Sequence, residues 1–124
     1  MIYSGLMAGK TVDHSDVDSC QRGDAALARG FALLGKRWNG MLLGSLGGGP
    51  AGFRQLARAV GNVSDSVLSD RLAELTGAGL VTRHVDEGPP VAVTYQLTGS
   101  GQALLPALEL IAEWAQQHLP DDES

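Results

Sequence analysis

Residues 53–97 read FRQLARAVGNVSDSVLSDRLAELTGAGLVTRHVDEGPPVAVTYQL. Phe53, Leu56, Ala57 and Val60 share one face of a short helix. Gly61 and Asn62 then supply a turn that admits φ > 0. Ser64 is placed to cap a second helix over residues 64–76, in which Leu68, Leu72 and Leu75 repeat at i, i+4 and i+7. Gly77 and Gly79 end it. Residues 80–85 and 91–97 are β-rich, the latter through VAVTY. Between them Asp86-Glu87-Gly88-Pro89-Pro90 reads as a hairpin tip, its prolines kept off the paired backbone. A helix-turn-helix followed by a hairpin is the layout of a winged helix, which lays its second helix in the major groove of DNA.

Further helices flank this block. On the N-terminal side Asp24 is a reasonable N-cap for a helix in which Leu27, Phe31 and Leu34 recur at spacings of four and three. Gly35 marks a bend, and a second stretch over residues 36–46 carries Trp38, Leu42, Leu43 and Leu46; one long helix is the other reading. Gly47-Gly48-Gly49-Pro50 stops it. On the C-terminal side Thr98 caps a last helix in which Leu104, Leu108, Ile111 and Ala115 align, widened by Leu105, Ala112 and Trp114. The expected organisation is a flexible arm at 1–19, a winged-helix domain at 20–119 and an acidic tail at 120–124. The fold class is α+β, mainly α, with an N-terminal and a C-terminal helix outside the winged unit.

The net charge of −5 argues at first against a nucleic-acid partner. Its distribution removes that objection without making the opposite case. The acid sits at the ends: Asp13, Asp16, Asp18 and Asp24 in front, and Glu109, Glu113, Asp121, Asp122 and Glu123 behind. The middle holds Arg29, Lys36, Arg37, Arg54, Arg58, Arg71 and Arg83 against five acids and is mildly basic, which permits DNA binding. No apolar run approaches the roughly 20 residues that span a bilayer. The N-terminus lacks the basic start and apolar stretch of a signal peptide. One cysteine, Cys20, excludes an internal disulfide and agrees with a reducing compartment. A cytoplasmic protein is expected.

With Leu68, Leu72 and Leu75 on the core side, a 100° step per residue turns Ser66, Asp70 and Ala73 outward, flanked by Val67, Ser69 and Glu74. The N-terminal part of such a helix reaches base edges, so Ser66, Val67, Ser69 and Asp70 are the expected readers. Backbone N–H groups near Ser64 and Asp65 suit a phosphate. These short side chains admit close approach but offer no bidentate Arg or Asn. Asp65 and Asp70 have two readings each: a base contact to cytosine, or a local role as dipole partner (Asp65) and as ion-pair partner of Arg71 or another cation (Asp70). Arg54, Lys36, Arg37 and Arg71 are candidates for phosphate clamps, the alternative being solvated surface. Arg83 and His84 fall on the wing.

Taken together, these stretches resemble the HxlR-type winged-helix transcriptional regulators of bacteria, which are MarR-like dimers. The matching text is Cys20, LLGKRW at 33–38, the triple-glycine-Pro turn, FRQLARAV, NVSDSVLSDRLAEL at 62–75, GLV at 79–81, VTYQLTGSGQALLP at 93–106 and Trp114. The resemblance implies a homodimer joined by its terminal helices, including Leu104, Leu108, Ile111, Trp114 and Ala115, with two recognition helices set for a palindromic operator on double-stranded DNA. Recognition helices of this kind often carry Gln or Lys where this chain has Asp65, Ser66 and Asp70. In some members a cysteine just before the first helix senses oxidants or electrophiles, and Cys20 occupies that place. A helix N-terminus and Arg22 favour its thiolate, while Asp18 and Asp24 oppose it; an inert buried thiol is the other reading.

An enzyme is the reading that loses. His14, His84 and His118 lack metal-ligand spacing, no phosphate-binding glycine loop is present, and neither cofactor nor metal is expected. A winged helix used for protein contact is the serious alternative. A small-molecule effector held near Phe31, Trp38, Leu108 and Trp114 is a further option, with plain core packing as its rival.

Overall fold

The computed structural model describes residues 14–121, with side chains from Arg22 onward. The chain divides after Leu34 into two units, 1–34 and 35–124. The first contains helix α1 (His14–Leu34). It starts ten residues before Asp24, so Asp24 is interior rather than a cap, and residues 14–19 of the expected arm are helical. The early turns are rich in Ser and Asp, with no apolar stripe for periodicity to detect. Acidic residues are favoured near a helix N-terminus by its dipole. The rest of the expected arm, and residues 122–124 of the tail, lie outside the described residues. Leu27 and Phe31 are 42% and 56% exposed.

The second unit runs α2 (Asn39–Leu46), β1 (Ala51–Gly52), α3 (Phe53–Val60), α4 (Asp65–Gly77), β2 (Val81–Asp86), β3 (Ala92–Leu97) and α5 (Gly99–His118). The expected helix at 36–46 starts three residues late because Trp38 adopts φ 87°, a left-handed conformation, ahead of Asn39. Such a backbone is costly for a bulky side chain and interrupts helical hydrogen bonding. The winged-helix expectation holds. Ser64 Oγ caps α4 by accepting from the Val67 N–H at 3.1 Å, and Gly61 takes φ 102° in the turn between α3 and α4.

The sheet is antiparallel in the order β1-β3-β2. Arg83 pairs with Tyr95 and His84 with Thr94, while Ala51 pairs with Tyr95 across the other edge of β3. A strand of two residues, β1, is too short for any alternation to show in sequence. The core gathers Leu42, Leu43 and Leu46 of α2, Leu56 and Val60 of α3, and Leu68, Leu72 and Leu75 of α4. Val81 and Leu97 close it from the sheet, every one of these at most 6% exposed. Each fully buried Leu contributes roughly 1.5–3 kcal/mol, so the stripe on α4 fixes which face of that helix is left for solvent.

The wing is tied to α5 at one corner. The Thr98 N–H donates to the Leu80 carbonyl at 3.0 Å. The Thr98 hydroxyl donates to the Gly79 carbonyl at 2.6 Å and accepts from the Gly101 N–H at 3.1 Å, which caps α5. A Cβ on Gly101 would lie 2.3 Å from the Leu80 oxygen, so only glycine fits there.

Candidate nucleic-acid interface

With its leucines inward, α4 exposes Ser66, Val67, Ser69, Asp70 and Ala73. That is the outward set the 100° step gives. Val67 is 39% exposed, a β-branched side chain among Ser66, Ser69 and Asp70. Ser64 and Asp65 stand at the N-terminal end, where unpaired backbone N–H groups and the helix dipole favour an anion. On the wing, Arg83 and His84 are exposed, next to the acidic tip of Asp86 and Glu87. The Asp86 carboxylate turns back to accept from the Gly88 N–H at 3.3 Å.

The cations are less free than their sequence positions suggest. Arg54 pairs with Asp65, both of them exposed. Asp65 thus holds an arginine of α3 beside the N-terminus of α4, in addition to its first-turn position. Arg71 was one expected partner of Asp70 and instead pairs with Glu74 three residues on. Spacing explains the choice: neighbours one residue apart in a helix diverge, whereas i and i+3 share a face. Asp70 makes no ion pair among the described residues and stays on the outer face. Lys36 also reaches Glu74, Nζ to Oε2 at 3.0 Å. The Arg37 guanidinium lies over the Trp38 ring, 4.6 Å from its centroid.

Glu74, expected at the edge of the outer face, is therefore a node. Its Oε2 accepts from Lys36, and its Oε1 accepts from Arg71 and from the buried Asn39 amide, the latter at 3.2 Å. The Lys36 hydrogen bond and then that of Asn39 hold its carboxyl below the ordinary 4.5, with the charges of Lys36 and Arg71 adding to them. Sequence reading missed this contact because it joins positions 35 and 38 residues apart. Arg58 was also passed over. It is exposed and lines, with Arg54, Asn62 and Asp65, a cleft at the turn between α3 and α4. The signal was available in the i, i+4 spacing from Arg54.

On α5, Leu104, Leu108 and Ala115 are half-buried. Leu110, Ile111, Trp114 and Leu119 are 47–65% exposed. The first part of the helix packs on α2 and β3, and the rest leaves an apolar face in solvent. A cleft of about 500 Å³ between the glycine turn, β3 and α5 is bordered by Pro50, Gln96, Gln102, Leu105 and Glu109. Trp38, Leu108 and Trp114 of the expected effector site do not line it. Cys20 lies in the backbone of α1, six residues after His14. No helix among the described residues is long and apolar enough to cross a membrane.

Comparison with known proteins bears on this arrangement directly. Residues 33–123 match the HxlR-like helix-turn-helix family. The HTH-type transcriptional regulator YodB of Bacillus subtilis is 39% identical over 87 residues, covering 70% of this chain and 78% of YodB. The structure of reduced YodB superposes with a TM-score of 0.70 at 36% identity, over 76% of this chain and 92% of that one. YodB has also been solved diamide-treated and quinone-bound. The redox regulator HypR in its reduced form superposes with a TM-score of 0.71 at 27% identity, over 74% of this chain and 91% of HypR. This chain belongs to the HxlR-like helix-turn-helix family; its relatives are transcriptional regulators and not enzymes.

Proposed function

We propose that this chain is a sequence-specific DNA-binding regulator that acts as a homodimer on a palindromic operator. The observation that carries the reading is the outer face of α4. Once Leu68, Leu72 and Leu75 are buried, a row of short exposed side chains from Ser66 to Ala73 remains, beside an exposed wing arginine. Ser66 and Ser69 suit base-edge hydrogen bonds, Val67 a thymine methyl group and Asp70 a cytosine amino group. Ser64, Arg54, Arg37 and Arg83 hold phosphates, with His84 at the groove beside the wing. Such a surface discriminates weakly per contact, so specificity draws on two half-sites read together. The apolar face of α5, with Leu104, Leu108, Ile111, Trp114 and Ala115, supplies the dimer contact.

Gel shifts on the native upstream region at two salt concentrations test this. A specific shift that weakens as salt rises is expected. No specific shift at low salt overturns it in favour of a protein-interaction module.

A second reading, that Cys20 senses oxidants or electrophiles, is favoured by the redox forms in which YodB and HypR have been described. The family match begins at residue 33, so Cys20 stands outside it. Oxidation would convert the thiolate to an intersubunit disulfide or a small-thiol adduct and change the dimer. Non-reducing electrophoresis with parallel gel shifts, before and after mild oxidant, on wild type and Cys20→Ser decides it. An unchanged wild type sinks this reading and leaves the DNA-binding one standing.

A further inference from the structure

Four residues join α1 to α2, and the last of them, Trp38, holds φ 87°. A strained backbone persists only where its surroundings over-determine it. Here the determinants are visible. The Asn39 N–H donates to the Lys36 carbonyl at 3.2 Å, and the Leu42 N–H to the Trp38 carbonyl at 2.8 Å. The side chains on either side of the strained residue, Lys36 and the fully buried Asn39, both reach Glu74. Glu74 lies on α4, one turn beyond the outward-facing Asp70. One carboxylate thus fastens the recognition helix to the segment that leads into α2.

We infer that Glu74 is a positioning residue for DNA recognition: its clamp on Lys36 and Asn39 holds α4 in register with the start of α2, the helix that packs on α5, and so limits the half-site spacing that a dimer accepts. This rests on the dimeric reading above. A surface ion pair adds little stability by itself. A carboxylate that receives an ammonium, an amide and a guanidinium, from the junction and from its own helix, restricts how the helix moves against the junction. Lys36 in this role faces inward to protein, not outward to phosphate, and the two roles predict different measurements.

The test uses the full chain and an inverted repeat recovered by the wild type from a random duplex pool, with the spacer lengthened or shortened by one or two base pairs. Glu74→Gln keeps the shape and an acceptor for Asn39 while removing the charge. It is expected to reduce the affinity ratio between correctly and wrongly spaced sites about fivefold or more. Lys36→Met, at a half-exposed position that tolerates change, should move the ratio in the same direction with an unchanged salt slope. The double variant should be no worse than Glu74→Gln, since Lys36 acts through Glu74. Thermal melts establish that each variant is folded, and Lys36→Met carries the test if Glu74→Gln is not. A folded Glu74→Gln that keeps the spacing ratio overturns the inference while leaving the regulator reading intact. So does a Lys36→Met whose salt slope falls by about one unit with spacing preference unchanged, the mark of a lost phosphate contact. A wild type that recovers no specific site overturns both.

Discussion

A methyl group at Gly101 would meet the Leu80 carbonyl at 2.3 Å, and that carbonyl is already held by the Thr98 N–H. Gly101→Ala must therefore separate α5 from the start of the wing or bend the corner. A loss of about 1–3 kcal/mol is expected in chemical or thermal unfolding, whereas Gly77→Ala, with open space around its Cβ, should stay within about 0.5 kcal/mol. Glu74 gives a second expectation at this scale. Its carboxyl is held below 4.5 in the folded chain, so its stabilising contribution is present above the unfolded value and is lost as pH falls through the lower folded one. Unfolding midpoints followed from neutral pH into the acid side of 4.5 should fall more steeply for wild type than for Glu74→Gln; parallel curves contradict the clamp. Single-residue roles were legible where they are local. Ser64 and Thr98 cap helices whose first turns follow them directly, so sequence spacing is enough. Glu74 and Asn39 were not legible, because their partnership exists only once α2 and α4 pack.

Among the elements, the proposed complex has α4 and the wing divide the work of recognition. Arg83 lies on an exposed edge strand, and Arg83→Ala should weaken binding across all sequences and lower the salt slope by about one unit. Ser66→Ala should instead leave the slope alone and change sequence preference, measured by competition among operator variants. If the two variants behave alike, the division is wrong. Helices with an apolar stripe, α3 and α4, were readable because burial imposes a period of 3.6 residues. The beginning of α1 was not, since a polar stretch of Ser and Asp leaves no period to count. β1 escaped because pairing with Tyr95 and Thr94 of β3, rather than any property of Ala51 and Gly52, makes it a strand.

At the scale of the whole molecule, the acidic balance and the DNA-binding role are compatible because opposite charges occupy different regions of the chain. In the winged unit Arg37, Arg54, Arg58 and Arg83 are exposed, while Glu109, Glu113 and Asp121 follow along and after α5. Leu110, Ile111 and Trp114 stand exposed there, and the proposed homodimer would cover them. Ile111→Asp should convert a dimer to monomer in sedimentation and reduce operator affinity with it; a variant that stays dimeric places the interface elsewhere. The expectation of a dimer lay beyond composition and periodicity and entered through family resemblance, because one chain's apolar stripe looks alike whether it meets its own core or a partner.

Hydroxyl-radical footprinting on a site selected by the wild-type protein tests the regulator account most directly. Two protected half-sites related by a dyad are expected, their centres separated by about one helical turn of DNA, 10–10.5 base pairs, or a multiple of it. A single unpaired patch of protection, or protection that does not distinguish the selected site from random duplex, would contradict it.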